Sequence, residues 1–153
     1  MRRLFLLLLF VACGAAAQED DRASYAAWQW THDVREFERY LATTGRHGVL
    51  PTRELLRTAS DWERCGGPRY EVPPRERWPQ VLHVLDLVTE LKKQRILQSV
   101  EAVSAYRNPG LNACAQGAPG SAHTRGFALD LAAGVGRIDL EALCRFWRRE
   151  GES

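Results

Sequence analysis

Ser121-Ala-His123-Thr-Arg-Gly126-Phe-Ala128-Leu-Asp130 sets an imidazole and a carboxylate seven positions apart, with a glycine between them. On a helix, positions seven apart share a face. Gly126 and the small and apolar residues of 127–132 argue instead for a loop feeding a buried strand. His123 then lies on the loop and Asp130 on the strand, together at the floor of a pocket. Histidine with a carboxylate is a common mixed donor set for catalytic zinc. His123 and Asp130 are therefore the candidate metal ligands.

Outward from this stretch the chain alternates in period. Residues 100–106 read as a strand, broken by Asn108-Pro109-Gly110. A short helix over 111–116 and a flexible loop over 117–120 lead back to His123. After the second strand, 139–150 reads as a helix opened by an aspartate cap. Leu140, Leu143, Cys144 and Trp147 form its inner face. Residues 78–94 form the clearest helix, with Pro79 in the first turn. Val81, Val84, Leu85, Val88 and Leu91 recur there at helical steps, and His83, Asp86, Glu90 and Lys93 fall on the other face. Further upstream, 25–44 is helix-compatible, with Trp28, Phe37, Tyr40 and Leu41 as its stripe. Residues 49–62 read as a short helix or an extended arm, and 65–74 as a turn-rich linker. Helices come first, then strand, loop, strand and helix, an α+β layout.

Ser104-Ala-Tyr106-Arg107 closes the first strand. An arginine at a strand end beside a proline turn is placed to point into a cleft. Its guanidinium can hold a carboxylate through two hydrogen bonds or stabilise charge on an oxygen.

With Leu111-Asn112 and Gly120-Ser121, these two blocks resemble the M15 family of zinc peptidases, the D-alanyl-D-alanine carboxypeptidases and related dipeptidases of bacterial cell walls. The resemblance covers about residues 78–150. It implies a small antiparallel sheet packed by helices, of the DD-peptidase and hedgehog type. It implies zinc on His123 and Asp130, and Arg107 as the catalytic residue that meets the substrate and the developing oxyanion. It implies that Ser121 binds substrate or orients the loop, and that the substrate is a peptidoglycan stem peptide. The family's third ligand is a later histidine, with the catalytic carboxylate close by. The residues after Asp130 contain no histidine. Two ligands alone bind zinc weakly. The sequence is accordingly expected to be a fragment or an early stop of an active parent, C-terminally incomplete, rather than a domain that has lost activity. The alternatives are a non-catalytic cell-wall binding module and an exported, disulfide-stabilised interaction domain.

His83 and His47 read as surface and loop residues, and Glu101 and Asp139 as structural carboxylates. Arg2-Arg3, the apolar 4–12 and the small residues to Ala17 read as an export signal cleaved after Ala17. The rival at this end is lipid attachment at Cys13. Either route places the protein in the periplasm or outside the cell. The apolar stretch is too short for a stable transmembrane anchor, which needs about 20 residues. Removing 1–17 leaves 19 basic and 19 acidic residues, a balance without the basic excess of a nucleic-acid footprint. Export permits disulfides. Cys65 and Cys114, both in glycine-rich surroundings, are the preferred pair, and Cys144 is expected to be buried. The expected organisation is a signal (1–17), a helical region and linker (18–74) and a peptidase core (75–153), acting as a monomer.

Overall fold

A computed structural model describes residues 19–151. The segment 1–17, including Cys13, lies outside the described residues, and so do the export and lipidation expectations. The chain divides between Val34 and Arg35 into two units. In the first, residues 19–29 are helical (α1). Expected to continue to residue 44, this helix stops because the Thr31 hydroxyl and His32 Nδ1 both bond the Trp28 carbonyl, at 3.0 and 2.9 Å. Those side chains take the acceptor that the next turn would use.

The second unit contains α2 (Arg35–Thr43), α3 (Thr52–Leu55), α4 (Trp78–Lys93), β1 (Leu97–Ser104), α5 (Pro109–Cys114), β2 (Asp130–Ile138) and α6 (Leu140–Gly151). Short 3-10 turns cover Arg75–Arg77 and Ala122–Arg125. The expected boundary at residue 75 falls inside this unit. The architecture is α+β, with a two-stranded antiparallel sheet among the described residues.

α4 supplies much of the core. Trp78, Val81, Leu85, Val88 and Leu91 are buried at successive helical steps. Each fully buried aliphatic side chain contributes about 1.5–3 kcal/mol by leaving water. The Trp78 indole packs on Phe37 and Tyr40 of α2 and donates to the Pro73 carbonyl at 2.8 Å. The helix ends where Arg95 turns left-handed, φ 58°. Ile96 and Leu97 are buried directly afterwards, so β1 starts three residues earlier than the sequence pattern indicates.

The antiparallel register pairs Leu97 with Ile138, Ala102 with Leu131 and Ser104 with Asp130. Between the last two pairs β1 carries one extra residue, Val103, a bulge. Bulges re-aim a strand end; this one brings Ser104 opposite Asp130. The other edge of β1 is held by α3 and the residues after it. Glu54 Oε2 accepts from Ala102 N at 3.0 Å, Arg57 Nη1 donates to Ala102 O at 2.8 Å, and Ala105 N donates to Arg57 O at 2.8 Å. Glu54 is buried, and that burial pushes its carboxyl above the ordinary glutamate range, against the Ala102 N–H and the Arg53 and Arg57 charges.

Three expectations need correction. The second strand begins at Asp130, not Phe127, and Phe127 is exposed rather than buried. Gly126 is left-handed at φ 76°, and that turn leaves 127–129 irregular before pairing begins. α6 is rotated by about one residue from the expected inner face. Phe146 is buried, whereas Leu140 and Trp147 are 68% and 70% exposed; burying Phe146 turns the other stripe outward. Cys144 follows that rotation and is an exposed free thiol. The aspartate cap of α6 is present: Asp139 Oδ1 accepts from Ala142 N at 2.9 Å.

Candidate functional site

The end of β1 and the turn Ala122–Arg125 lie side by side. Arg107 N donates to His123 O at 3.3 Å, and His123 Nδ1 bonds Ala105 O at 2.6 Å. A carbonyl only accepts, so Nδ1 carries the ring proton. Nε2 is thereby the nitrogen left for a proton or a cation. An outer hydrogen bond of this kind fixes the tautomer and ring plane of metal-binding histidines. Ser121 Oγ accepts from His123 N at 3.3 Å and caps the turn. Ser121 thus orients the loop.

Gly126 closes the turn. A Cβ there would lie 3.1 Å from Arg77 O. Both the left-handed φ and the close approach to the start of α4 require glycine.

Asp130, at the start of β2, faces the histidine. His123 Nε2 and Asp130 Oδ1 are 3.3 Å apart. Two donors on one tetrahedral zinc, each at about 2.1 Å, stand about 3.4 Å apart. The pair therefore fits two positions of such an ion. The same gap fits a hydrogen bond if Nε2 is protonated. Among the described residues no group of three or more His, Cys, Asp or Glu side chains is placed to hold a metal.

The other oxygen of Asp130 is engaged by Arg107, Nη2 to Oδ2 at 2.5 Å. Arg107 Nε donates to Ser104 Oγ at 2.9 Å, and Ser104 Oγ donates to the Thr58 carbonyl. The guanidinium is fixed on two sides, and its side chain is only 14% exposed. Asp130 is the open member of the cluster, with its side chain 50% exposed. An apolar cleft lined by Val81, Val84, Ala105, Tyr106, Ala128 and Leu129 draws on α4, the end of β1 and the stretch before Asp130.

The structure therefore brings together Arg107, His123, Asp130 and Ser121. His47 and His83 stay outside this cluster: His47 is exposed in a turn, and the exposed His83 stacks on Phe127 with ring centroids 6.2 Å apart. Glu101 pairs with Arg57 at 2.7 Å, a structural role. Ser104, Thr58, Glu54 and the Ala105 carbonyl carry no role that the sequence pattern displays directly. The Ser104-to-Arg107 step carried a usable signal, since a serine three residues before an arginine at a strand end can reach its Nε. The Glu54 contact spans 48 positions, and no local pattern announces it.

No helix among the described residues is long and apolar enough to cross a membrane. Compared with known proteins, the chain matches no family model, no curated protein and no solved structure.

Proposed function

We propose that this chain carries the zinc- and substrate-holding part of an exported peptidase of the M15 type, acting on D-alanine-containing peptides of peptidoglycan. The observation that supports this most is the 3.3 Å gap between His123 Nε2 and Asp130 Oδ1, with Nδ1 already held by a carbonyl. In this reading His123 and Asp130 hold zinc, and a further ligand completes the set. Zinc supplies Lewis-acid polarisation of a scissile carbonyl. Arg107, anchored through Nε and Nη2, keeps Nη1 as a donor for the substrate's terminal carboxylate or for charge developing on the carbonyl oxygen. Ser121 holds the loop that presents His123.

One observation favours a second reading, a non-catalytic module that binds cell-wall peptides. Asp130 already has a cationic partner in Arg107, so its charge is balanced with no metal present. A single experiment separates the readings. The zinc-supplemented protein is incubated with a peptide ending in D-Ala-D-Ala, and both released D-alanine and peptide binding are measured. Release that Arg107→Ala abolishes supports the peptidase. Binding without release, weakened by Arg107→Ala, supports the module. Neither release nor binding contradicts both.

A further inference from the structure

The segment that leads into His123 runs back through α5 to a disulfide. Cys114 closes α5 and is bonded to Cys65. Arg64 Nη2 donates to the Cys114 carbonyl at 3.3 Å and to Asp61 at 2.9 Å. At Gly67 an added Cβ would lie 3.0 Å from the buried Leu111 of α5. The turn around Cys65 thus grips α5 through the covalent bond, a backbone contact and packing.

From α5 the hold passes to the histidine. Asn112 is 4% exposed, and its Nδ2 donates to the Ala118 carbonyl at 3.2 Å. Gly117 N donates to Asn112 O at 2.8 Å. The same Ala118 carbonyl accepts from Ser121 N at 3.0 Å, and Ser121 Oγ accepts from His123 N. A Cβ on Gly117 would lie 2.1 Å from Asn112 Oδ1, so the clamp requires glycine. Only hydrogen bonds and one short loop separate the disulfide from the candidate metal ligand.

The bond is also open to attack. Cys114 is exposed and Cys65 partly so. We propose that the Cys65–Cys114 disulfide, acting through α5 and Asn112, sets the position of His123 and makes the site sensitive to dithiol reductants. Asn112 is a positioning residue in this scheme. The proposal deepens the zinc-site reading and rests on it for its metal consequence only. In the reducing step a dithiol thiolate attacks one cystine sulfur and forms a mixed disulfide. The reductant's second thiol then displaces the protein sulfur. Cys65 and Cys114 leave as thiols, and the reductant leaves as a disulfide with its two electrons transferred.

The test uses the full chain with Cys13→Ser and Cys144→Ser, which keeps the two other thiols out of exchange. Amide hydrogen exchange over 115–123 and over α4 is compared with and without dithiothreitol. The expected result is about tenfold faster exchange over 115–123 on reduction, with α4 unchanged. Asn112→Ala and Gly117→Ala, with the disulfide intact, are expected to loosen the same segment. The His123 ring nitrogens, read by NMR, should shift from a fixed Nδ1–H tautomer towards a mixture. After removal of dithiothreitol, itself a zinc chelator, and alkylation of the freed thiols, zinc affinity should fall roughly 10–100-fold, as for a disturbed outer shell. Unchanged exchange over 115–123, or equal loosening of α4, overturns the proposal, as does equal zinc affinity in both redox forms. An oxidised protein that takes up no zinc contradicts the zinc reading, and the exchange result still decides the role of the disulfide.

Discussion

α4 and α6 are both amphipathic helices of the second unit, yet only one buries the stripe that its sequence displays. The α4 stripe is covered along its length, with Leu85 fully buried. On α6 the burial centres on Phe146, while Leu140, Cys144 and Trp147 face outward. β1, between α4 and the site, is braced on one edge by Glu54 and Arg57 and on the other by β2. Periodicity establishes that a segment is a helix; neighbouring elements decide which of two adjacent stripes goes inside. The site joins the end of β1 to the start of β2. Arg107 is the well-held member and Asp130 the more exposed one.

Substitutions at three positions probe this contrast. Leu85→Ala should be the most damaging, costing about 2–5 kcal/mol through lost burial and a residual cavity, read from the denaturant midpoint. A cost below that of an ordinary surface change would mean that α4 is not the centre of the core. Glu54→Ala should cost about 1–3 kcal/mol, because the Ala102 N–H would lose its partner inside the protein.

Glu54→Gln separates that bond from the charge. Burial raises the folded carboxyl above its unfolded value, so the folded state holds the proton more tightly. Stability linked to Glu54 is then fully present below the ordinary glutamate range. It declines as pH rises from there through the folded value. Glu54→Gln should flatten this decline and gain on the wild type as pH rises. A wild type that gains on Glu54→Gln over the same range would mean that the carboxylate is favourably solvated or paired.

Trp147→Ala should have the smallest effect, within about 0.5 kcal/mol, as for other exposed positions. A loss comparable to that of Leu85→Ala would show that the outward α6 stripe is covered in solution, and the contrast would fail.

Much of the second unit was legible from local pattern. α4 follows directly from its three- and four-residue apolar steps and Pro79, and the Asp139 cap marks the start of α6. His123 and Asp130 were legible as a pair because the glycine turn and the change of period lie between them. What stayed hidden depends on distant contacts. The Val103 bulge, which sets Ser104 against Asp130, follows from pairing across the sheet. The tautomer of His123 depends on the Ala105 carbonyl, 18 positions away. The break after α1 was local, but Thr31 and His32 are ordinary helix residues until their side chains turn back onto Trp28 O.

The central claim is that His123 and Asp130 form a metal-binding pair. The most direct measurement is a zinc competition titration of the wild type, His123→Ala and Asp130→Asn, each checked for folding by circular dichroism. The pair predicts weak binding of one zinc per wild-type chain, since two ligands alone hold the ion. Each variant, still folded, should lose more affinity than the roughly 10–100-fold cost of an outer-shell change. Equal zinc uptake by all three proteins, or none by the wild type, would contradict it.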